Sequence, residues 1–173
     1  MPLIVNIGLT QGPFHIFLSD LTAQKNAISQ MIALCKQYAF HGLQFDFENI
    51  NMNDKAAYTQ FVQAAADQLH KNGCILSVAI VPRTSDLVYN DYDRWRFENW
   101  TGAYDYLALG QSTDFLSLMT YDQHTLSTTH GPIAFIDWVE KSLQFMLKVV
   151  PSNKVSLGIP SYSGYWVTAE CNP

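Results

Sequence analysis

Two acidic residues, Asp46 and Glu48, stand two positions apart in the stretch His41–Asn49, which reads HGLQFDFEN. Apolar and polar residues alternate here as they do in a β-strand, whose successive side chains point to opposite faces. The two carboxyl groups would share a face, with Cα atoms roughly 6.6 Å apart. Carboxylates this close interact, so one of them tends to hold a proton near neutral pH. The pair predicts acid–base chemistry, in which a carboxylic acid donates its proton to a glycosidic oxygen.

The two faces of this strand differ in polarity. One face is apolar, suits packing against helices and comprises Leu43, Phe45 and Phe47. The other face is polar and comprises Gly42, Gln44, Asp46 and Glu48. Burying an unpaired carboxylate is costly, so a covered strand keeps such a row where its members pair and open into a site at the carboxyl end. An edge strand with one solvent-exposed face explains the alternation equally well, but the flanking helices favour a strand that is covered on both faces.

A second strand with polar groups at its carboxyl end runs through Ser117–Asp122. Alternation places Ser117, Met119 and Tyr121 on one face, with Tyr121 and Asp122 at the rim. A tyrosine hydroxyl at the rim can hydrogen-bond a substrate oxygen. A tyrosine that only caps the core fits this motif as well when the motif is taken by itself.

These two strands belong to an alternating series of strands and helices. Apolar or β-branched runs predict five strands: Leu3–Ile7, Leu43–Phe47, Ile75–Val81, Phe115–Tyr121 and Val155–Ile159. Helical spacing and capping residues predict four helices: from an N-cap at Asp20 to Ala39, from Asp54 to a stop at Gly73, Ala103–Leu109 and Phe135–Val149. Two segments are predicted to be loops that shape a cleft: Pro82–Thr101 and Asp122–Pro132.

The alternation implies an α/β fold with a parallel sheet and helical crossovers. The pattern alone fits both an open doubly wound sheet and part of a closed (β/α)8 barrel. The sequence contains no G-x-G-x-x-G motif and no P-loop, so the open sheet gains no nucleotide site in its support. A closed barrel typically needs ~250 residues, with ~200 as the lower limit, so a barrel of 173 residues would be incomplete.

Composition and charge exclude several classes of protein. The net charge is -5 and no basic stripe is present, which argues against nucleic-acid binding. No run reaches the ~18 apolar residues of a membrane span, so no membrane insertion is expected. No signal peptide is visible, but the strand that begins at Leu3 leads us to expect a fragment, so its absence carries little weight.

Neither the cysteines nor the histidines form a metal-binding pattern. The three cysteines, Cys35, Cys74 and Cys171, are widely spaced and are interpreted as small buried apolar residues. The five histidines include no H-E-x-x-H pair. We therefore predict no metal ion.

Taken together, the motifs resemble glycoside hydrolase family 18, whose signature is D-G-x-D-x-D-x-E on strand four and M-x-Y-D on strand six. His41–Glu48 fits the second half of the first motif, and Met119–Asp122 fits the second in full. Ile75–Val81 takes the place of strand five, and Gly158–Tyr162 is similar to the strand-seven segment. Within the family, the chain is most similar to the branch of spore-cortex and cell-wall N-acetylglucosaminidases, on the basis of the D-F-E-N motif and the segment Trp100–Tyr106. The resemblance identifies residues 1–173 as one partial catalytic domain, an incomplete TIM barrel running from about strand three to strand seven.

The resemblance implies hydrolysis of β-1,4-linked N-acetylglucosamine-containing glycans, chitin-like or peptidoglycan, by a substrate-assisted retaining mechanism. Glu48 would protonate the leaving oxygen and then deprotonate the attacking water, while Asp46 would orient and polarise the substrate's N-acetyl group. Tyr121 would hydrogen-bond that acetamide, and Asp122 would help to position the site. Substrate-binding roles are expected for Gln44, Met119, Tyr162 and Trp166. The resemblance implies no metal or organic cofactor, and it favours a secreted or cell-envelope location.

The chain departs from the family pattern at two positions and in its extent. His41 and Gln44 replace the first two aspartates of the signature. Gln44 can hydrogen-bond Asp46 but cannot share its proton, so we expect a narrower or shifted pH optimum. Strands one, two and eight are missing from the pattern. Strand eight usually provides the tryptophan that forms the bottom of the sugar-binding site in this family. Open barrel edges favour aggregation, so poor folding or inactivity of this piece alone is also an expectation.

Two other functions are open at this point. A catalytically inactive, chitinase-like lectin would use the cleft without turnover, although Glu48 disfavours it because such lectins commonly lose this acid. An unrelated α/β protein with coincidental motifs would tolerate substitutions at Glu48 and Asp46 as ordinary surface changes. Chitin and peptidoglycan both remain candidate polymers, and endo and exo cleavage are both open.

Overall fold

The sheet consists of five parallel strands in the order in which they occur along the chain. The structure is a computed structural model that describes residues 1–125 and 128–166, so that Cys171 lies outside the described residues. The strands are β1 Leu3–Val5, β2 Gly42–Asp46, β3 Ile75–Ile80, β4 Phe115–Met119 and β5 Val155–Gly158, and each pairs with the next. All five predicted strands are confirmed, each with an end shifted inward or outward by one or two residues.

Strand order decides between the two folds that the sequence left open. A doubly wound sheet reverses its order at a switch point, whereas this order runs β1-β2-β3-β4-β5 without a reversal. The register is continuous, with Val5 opposite Asp46, Gln44 opposite Ser77 and Met119 opposite Gly158. Right-handed crossovers between strands that follow one another in this way put the helices on a single side of the sheet, as in a barrel.

The helices that connect the strands are α1 Gln11–Ser19, α2 Leu21–Tyr38, α3 Lys55–Lys71, α4 Asp91–Arg96, α5 Tyr106–Ser112 and α6 Ile136–Leu147. The predicted N-cap of α2 is confirmed, because a carboxylate oxygen of Asp20 accepts hydrogen bonds from the backbone N–H groups of Thr22 and Ala23 at 2.8 and 3.0 Å. The stop after α3 is confirmed as well, since Gly73 has a φ of 76°. No helix in the described part of the chain is both long and apolar enough to cross a membrane.

Two sequence predictions of local structure were wrong, and one helix was not predicted. The helix without a prediction is α1, whose first turn contains Gly12 and Pro13, at positions where proline is tolerated. The short helix expected at Ala103 begins instead at Tyr106, since Asp105 caps it by accepting the Ala108 N–H at 3.1 Å. The second half of the predicted Pro82–Thr101 loop is helical: α4 is followed by a π-helical turn at Phe97–Thr101.

The apolar face of β2 packs into an aromatic core, as predicted. Phe45 stacks on Phe61 of α3 with ring centroids 5.6 Å apart, and Phe47 lies 5.0 Å from Phe14 of α1. The buried Tyr104 hydroxyl donates to the Phe47 carbonyl at 2.7 Å. Cys35 and Cys74 are buried and free, as expected. Because its apolar face is held on all of these sides, β2 presents its polar face at a fixed orientation.

Candidate active site

The two predicted acids stand at the carboxyl end of β2. Asp46 is the last residue of the strand, Glu48 follows two positions later, and both side chains are half-buried. Burial raises the pKa of Asp46 above its ordinary value. Burial and then the negative charges of Asp46 and Asp122 raise the pKa of Glu48. This environment favours a protonated Glu48, which is the form a proton donor needs.

The backbone of Glu48 is fixed by Asn6, a residue that the sequence analysis did not single out. Asn6 directly follows β1, and its Nδ2 donates to the Glu48 carbonyl at 2.8 Å. In return, the Glu48 N–H donates to Asn6 Oδ1 at 3.0 Å. The β1–β2 ladder ends at the pair Val5 and Asp46, so the Asn6 carboxamide extends that ladder by acting as a peptide group. The sequence feature that could have identified Asn6 is a polar residue at the carboxyl end of the strand that neighbours β2.

The turn after Glu48 is held by an amide network. Asn49 adopts a φ of 52°, a left-handed conformation that asparagine tolerates better than most residues. Its Nδ2 donates to the Leu9 carbonyl at 2.7 Å, and its Oδ1 accepts from Gln11 at 2.9 Å. Gln11 Nε2 also donates to Asn99 Oδ1 at 3.0 Å. The network joins the segment after β1, the turn that follows Glu48 and the π-helical turn.

Tyr121 and Asp122 stand beyond the end of β4, where the backbone leaves the sheet. Thr120 Oγ1 donates to the Gly158 carbonyl of β5 at 2.6 Å, and Asp122 has a φ of 54°. A Cβ atom at Gly158 would lie 2.8 Å from the Tyr121 ring, so only glycine leaves room for this ring. Burial, followed by the charges of Asp46, Glu48 and Asp122, raises the pKa of Tyr121. Tyr121 therefore remains a hydroxyl donor at neutral pH.

Glu48, Met119, Tyr121 and Asp122 line one open cleft with a cavity volume of about 560 Å³. This size lies within the range of small-molecule sites, roughly 300–1,000 Å³. Asp46 is electrostatically coupled to these residues, because its negative charge raises the pKa of both Glu48 and Tyr121. The structure thus brings together the four residues that the sequence predicted as catalytic.

The predicted substrate-binding residues are placed differently from one another. Met119 lines the cleft. Tyr162 is exposed, and its hydroxyl donates to Asp122 Oδ1 at 2.7 Å. Burial and then this hydrogen bond and the Asp122 charge raise the pKa of Tyr162 to about 12. Trp166 does not line the cleft: its Nε1 donates to the Gly131 carbonyl at 3.0 Å, and its ring lies against His130 with centroids 5.0 Å apart.

In the described part of the chain, Gln44 does not form the hydrogen bond to Asp46 that its side chain can make. Gln44 Oε1 accepts a hydrogen bond from Ser77 Oγ at 3.1 Å, on the strand with which β2 pairs. The buried Asp46 Oδ1 accepts no hydrogen bond from any described residue. Residues directly opposite on neighbouring strands are nearer to each other than residues two apart along one strand, which explains why Ser77 is the partner. Asp46 Oδ1 is therefore an acceptor without a donor.

The cleft also has an aromatic side, most of which comes from the segment Pro82–Thr101 that the sequence predicted to be a loop that shapes a cleft. Its aromatic members beyond Tyr121 are Tyr92, Trp95, Trp100 and Trp138. Within residues 1–125 and 128–166, no group of three or more His, Cys, Asp or Glu side chains is arranged to hold a metal ion. Carboxylates, tyrosine and other aromatic rings predominate in the site, which also includes Met119 and Arg96.

Residues 2–172 match the protein-family model for glycosyl hydrolases family 18. The chain belongs to this family. Among curated proteins, the family 18 chain is 35% identical over 149 residues to "Uncharacterized glycosylase YvbX" of Bacillus subtilis (strain 168), covering 86% of this chain and 41% of that protein. It is 30% identical over 152 residues to the "Cortical fragment-lytic enzyme" of the same organism, covering 88% of this chain and 33% of that enzyme.

Solved structures of family 18 share the fold. A chitinase from Chromobacterium violaceum ATCC 12472 superposes with a TM-score of 0.81 at 26% identity, covering 92% of this chain and 49% of that chain. The family 18 chain spans less than half the length of these relatives. Its five consecutive parallel strands are therefore part of a TIM barrel, and the predicted incomplete barrel and the family resemblance are confirmed.

Proposed function

We propose that this chain carries the acid–base machinery of a retaining glycosidase that cleaves β-1,4-linked N-acetylglucosamine-containing glycans. The observation that carries the proposal is the convergence of Glu48, Tyr121 and Asp122 on one cleft from two strands of the sheet, with the charge of Asp46 acting on Glu48 and Tyr121. The pKa of Glu48 is raised by burial and by neighbouring negative charge, which keeps a proton available at the carboxyl end of β2. The chain belongs to a family of glycosidases, which agrees with this proposal.

In the first step Glu48 gives its proton to the glycosidic oxygen. The bond between that oxygen and the anomeric carbon breaks, while the carbonyl oxygen of the substrate's own acetamide forms a new bond to the same carbon. In the second step the Glu48 carboxylate takes a proton from water, whose oxygen attacks the anomeric carbon and releases the acetamide. One carboxyl group therefore serves as acid and then as base.

Asp46 is suited to holding the acetamide during this displacement. Its buried Oδ1 lacks a hydrogen-bond donor in the described part of the chain. Leaving a buried acceptor unsatisfied costs about 1–3 kcal/mol, and a substrate N–H group that points at Oδ1 would remove that cost. The same hydrogen bond would orient the acetamide carbonyl oxygen toward the anomeric carbon, as the nucleophile requires.

Tyr121 and Asp122 complete the acetamide pocket in this proposal. The Tyr121 hydroxyl remains protonated, because burial and the nearby carboxylates raise its pKa, and so it can donate to the acetamide oxygen. Asp122 accepts from Tyr162, and the Tyr121 and Tyr162 rings meet edge to face with centroids 6.4 Å apart. Asp122 and Tyr162 therefore position Tyr121 from the outer side of the cleft.

The test is release of reducing ends from N-acetyl-chitooligosaccharides and from purified peptidoglycan, with this chain and its Glu48→Gln variant compared after circular dichroism shows both folded. We expect turnover that the substitution abolishes, and the polymer that is cut identifies the substrate. Equal turnover by both proteins would overturn the role of Glu48. Two folded proteins that bind the glycans without turnover would point to a lectin or to an incomplete barrel, and the same assay on a longer parent chain would then separate the two.

A further inference from the structure

Helix α4 carries an exposed pair of aromatic rings on the wall of the cleft, which we call the aromatic platform: Tyr92 and Trp95. Their rings stack with centroids 6.2 Å apart and an angle of 22° between the planes. Tyr92 is 54% exposed and Trp95 is 51% exposed, and α4 contains no buried residue. Both rings line the cleft that contains Glu48. The platform thus contributes little to the core and is continuous with the candidate active site.

The platform is held rigidly although it is exposed. Asn90 caps α4 by accepting from the Asp93 N–H at 2.9 Å, and Asn90 Nδ2 donates to Asp93 Oδ2 at 2.9 Å. At the other end, Asn99 Nδ2 donates to the Trp95 carbonyl at 2.8 Å, and Asn99 Oδ1 accepts from Gln11 at the start of α1. The helix that presents the rings is therefore tied to the same amide network that holds the turn after Glu48.

Exposed, ordered aromatic rings next to polar groups indicate a ligand surface. Apolar area left in water forgoes about 25 cal/mol for each Å² that burial would gain, and contiguous apolar patches rimmed by polar residues mark binding grooves. A pyranose ring has an apolar face of C–H groups that matches a flat aromatic ring, and polar edges that match the surrounding side chains. The platform has the chemistry to bind one sugar of a glycan whose cleavage point lies at Glu48.

Arg96, the residue after Trp95, adds a charge preference. The acidic residues of the cleft wall are Glu48 and Asp122, and Arg96 is the basic residue there among those that the structure describes. Within the same described part of the chain, no carboxylate forms a salt bridge with Arg96. A guanidinium without a carboxylate partner pairs readily with one from a ligand, by two parallel hydrogen bonds. The position beside the platform therefore has a charge that suits an acidic sugar.

We infer that Tyr92, Trp95 and Arg96 form a glycan subsite that stacks a sugar on the platform and pairs Arg96 with a carboxylate on that sugar. The inference rests on the proposed function, and it selects a polymer: peptidoglycan strands without stem peptides carry a free lactyl carboxylate on every second sugar, whereas chitin is neutral. The subsite binds both polymers by stacking, and it binds the acidic one more tightly through Arg96.

Binding measured without turnover tests this subsite. In a Glu48→Gln background, isothermal titration calorimetry would give the Kd for the hexasaccharide of N-acetylglucosamine and for peptide-free peptidoglycan strands with intact lactyl groups. Trp95→Ala and Tyr92→Ala should each weaken both ligands about fivefold, the scale of one aromatic contact. Arg96→Gln should weaken only the peptidoglycan strands, about threefold, as expected for one partly exposed ion pair.

The matched control is Tyr38→Ala. Tyr38 is 57% exposed and stacks on Phe40 with centroids 5.4 Å apart, but it ends α2 just before β2 begins, at the end of the strand opposite Glu48. Its removal should leave both Kd values unchanged. A Trp95→Phe variant, which keeps a ring, should recover part of the binding that Trp95→Ala loses.

The outcomes separate this inference from the proposed function. Unchanged Kd values in the two platform variants, with binding by the Glu48→Gln chain intact, would refute the subsite and leave the proposed function standing. Equal weakening of both glycans by Arg96→Gln would refute the carboxylate pairing. Failure of the Glu48→Gln chain to bind either glycan would overturn both the subsite and the proposed function.

Discussion

At the scale of single residues, Glu48 carries an electrostatic cost that its proposed role requires. Its carboxyl group is half-buried beside Asp46 and Asp122, and both burial and these charges raise its pKa. Asp46 carries a similar cost, because burial raises its pKa and its Oδ1 has no donor within the described residues. Sites of this kind exchange stability for function, so the free energy of unfolding should reveal them.

We predict that Glu48→Gln makes the folded chain more stable at neutral pH. The folded state holds the Glu48 proton more tightly than the unfolded state, so stability falls as pH rises from the ordinary pKa of 4.5 through the raised value. Glutamine cannot ionise and avoids this loss. Urea unfolding at about pH 4 and about pH 8 should show similar free energies at the lower pH and a more stable variant at the higher pH.

The control for this measurement is Glu140→Gln, on the exposed surface of α6. It should leave the difference between the two pH values as in the parent chain. A Glu48→Gln variant that is less stable than the parent at the higher pH would show that the carboxylate form of Glu48 stabilises the fold.

Gln44 is the residue at which the proton-sharing arrangement of the family is interrupted. We predict that Gln44→Asp broadens or shifts the pH–rate profile, because a second carboxylate on the same strand face can share a proton with Asp46 and raise its pKa. The mutant aspartate would replace the acceptor now used by Ser77. Gln60→Asp on the exposed side of α3 adds the same charge outside the site and is the control. An unchanged profile for Gln44→Asp would rule out this account of the departure.

At the scale of elements, the site depends on how β1 and β2 end. The backbone ladder between them stops at Val5 and Asp46, and the Asn6 carboxamide extends it as far as Glu48. One side chain therefore sets the direction in which the proposed acid leaves the sheet. Helix α4 has the corresponding role on the other wall, where caps at both of its ends orient the aromatic platform.

We predict that Asn6→Leu lowers kcat strongly and changes KM little. Leucine has a similar volume but leaves the Glu48 N–H and carbonyl groups unpaired, at a cost of about 1–3 kcal/mol for each buried group. Asn6→Asp keeps the acceptor for the Glu48 N–H and should have an intermediate kcat. The exposed Asn153→Leu is the control. A parallel rise in KM with kcat unchanged would show that Asn6 affects substrate binding rather than the position of Glu48.

At the scale of the whole molecule, the sequence predicted the sheet and the location of the candidate catalytic residues better than the walls of the cleft. Strands and amphipathic helices are set by local periodicity, and the order of motifs fixed which strand carries which acid. Helix α1 escaped because Gly12-Pro13 reads as a break, although the aromatic contact of Phe14 with Phe47 stabilises it through tertiary packing. The helical structure of Asp91–Thr101 was not predicted, because it depends on an N-cap and on the hydrogen-bond network with Gln11.

The site residues that the sequence analysis missed have a common cause. Asn6 acts on Glu48 across 42 positions of sequence, and Gln11 meets Asn99 across 88. Such contacts are defined by the pairing of strands and not by any local pattern. Gln44 is a further example. Along the strand its nearest polar neighbour is Asp46, but its hydrogen-bond partner is Ser77, which the register of β2 with β3 places opposite it.

The strands that carry the proposed chemistry are interior strands of the sheet. Strand β2 pairs with β1 and β3, and β4 pairs with β3 and β5, whereas β1 exposes Leu3 and Val5 at the edge. Backbone amides of β2 to β4 are therefore expected to exchange with deuterated solvent more slowly than those of the outer strands. Fraying of β1 would release Asn6 and thereby the backbone of Glu48, so the position of this acid depends on an edge strand. Joined to barrel strands from another family member, this segment would act as a transplantable cassette that arrives with its reactive groups already in place.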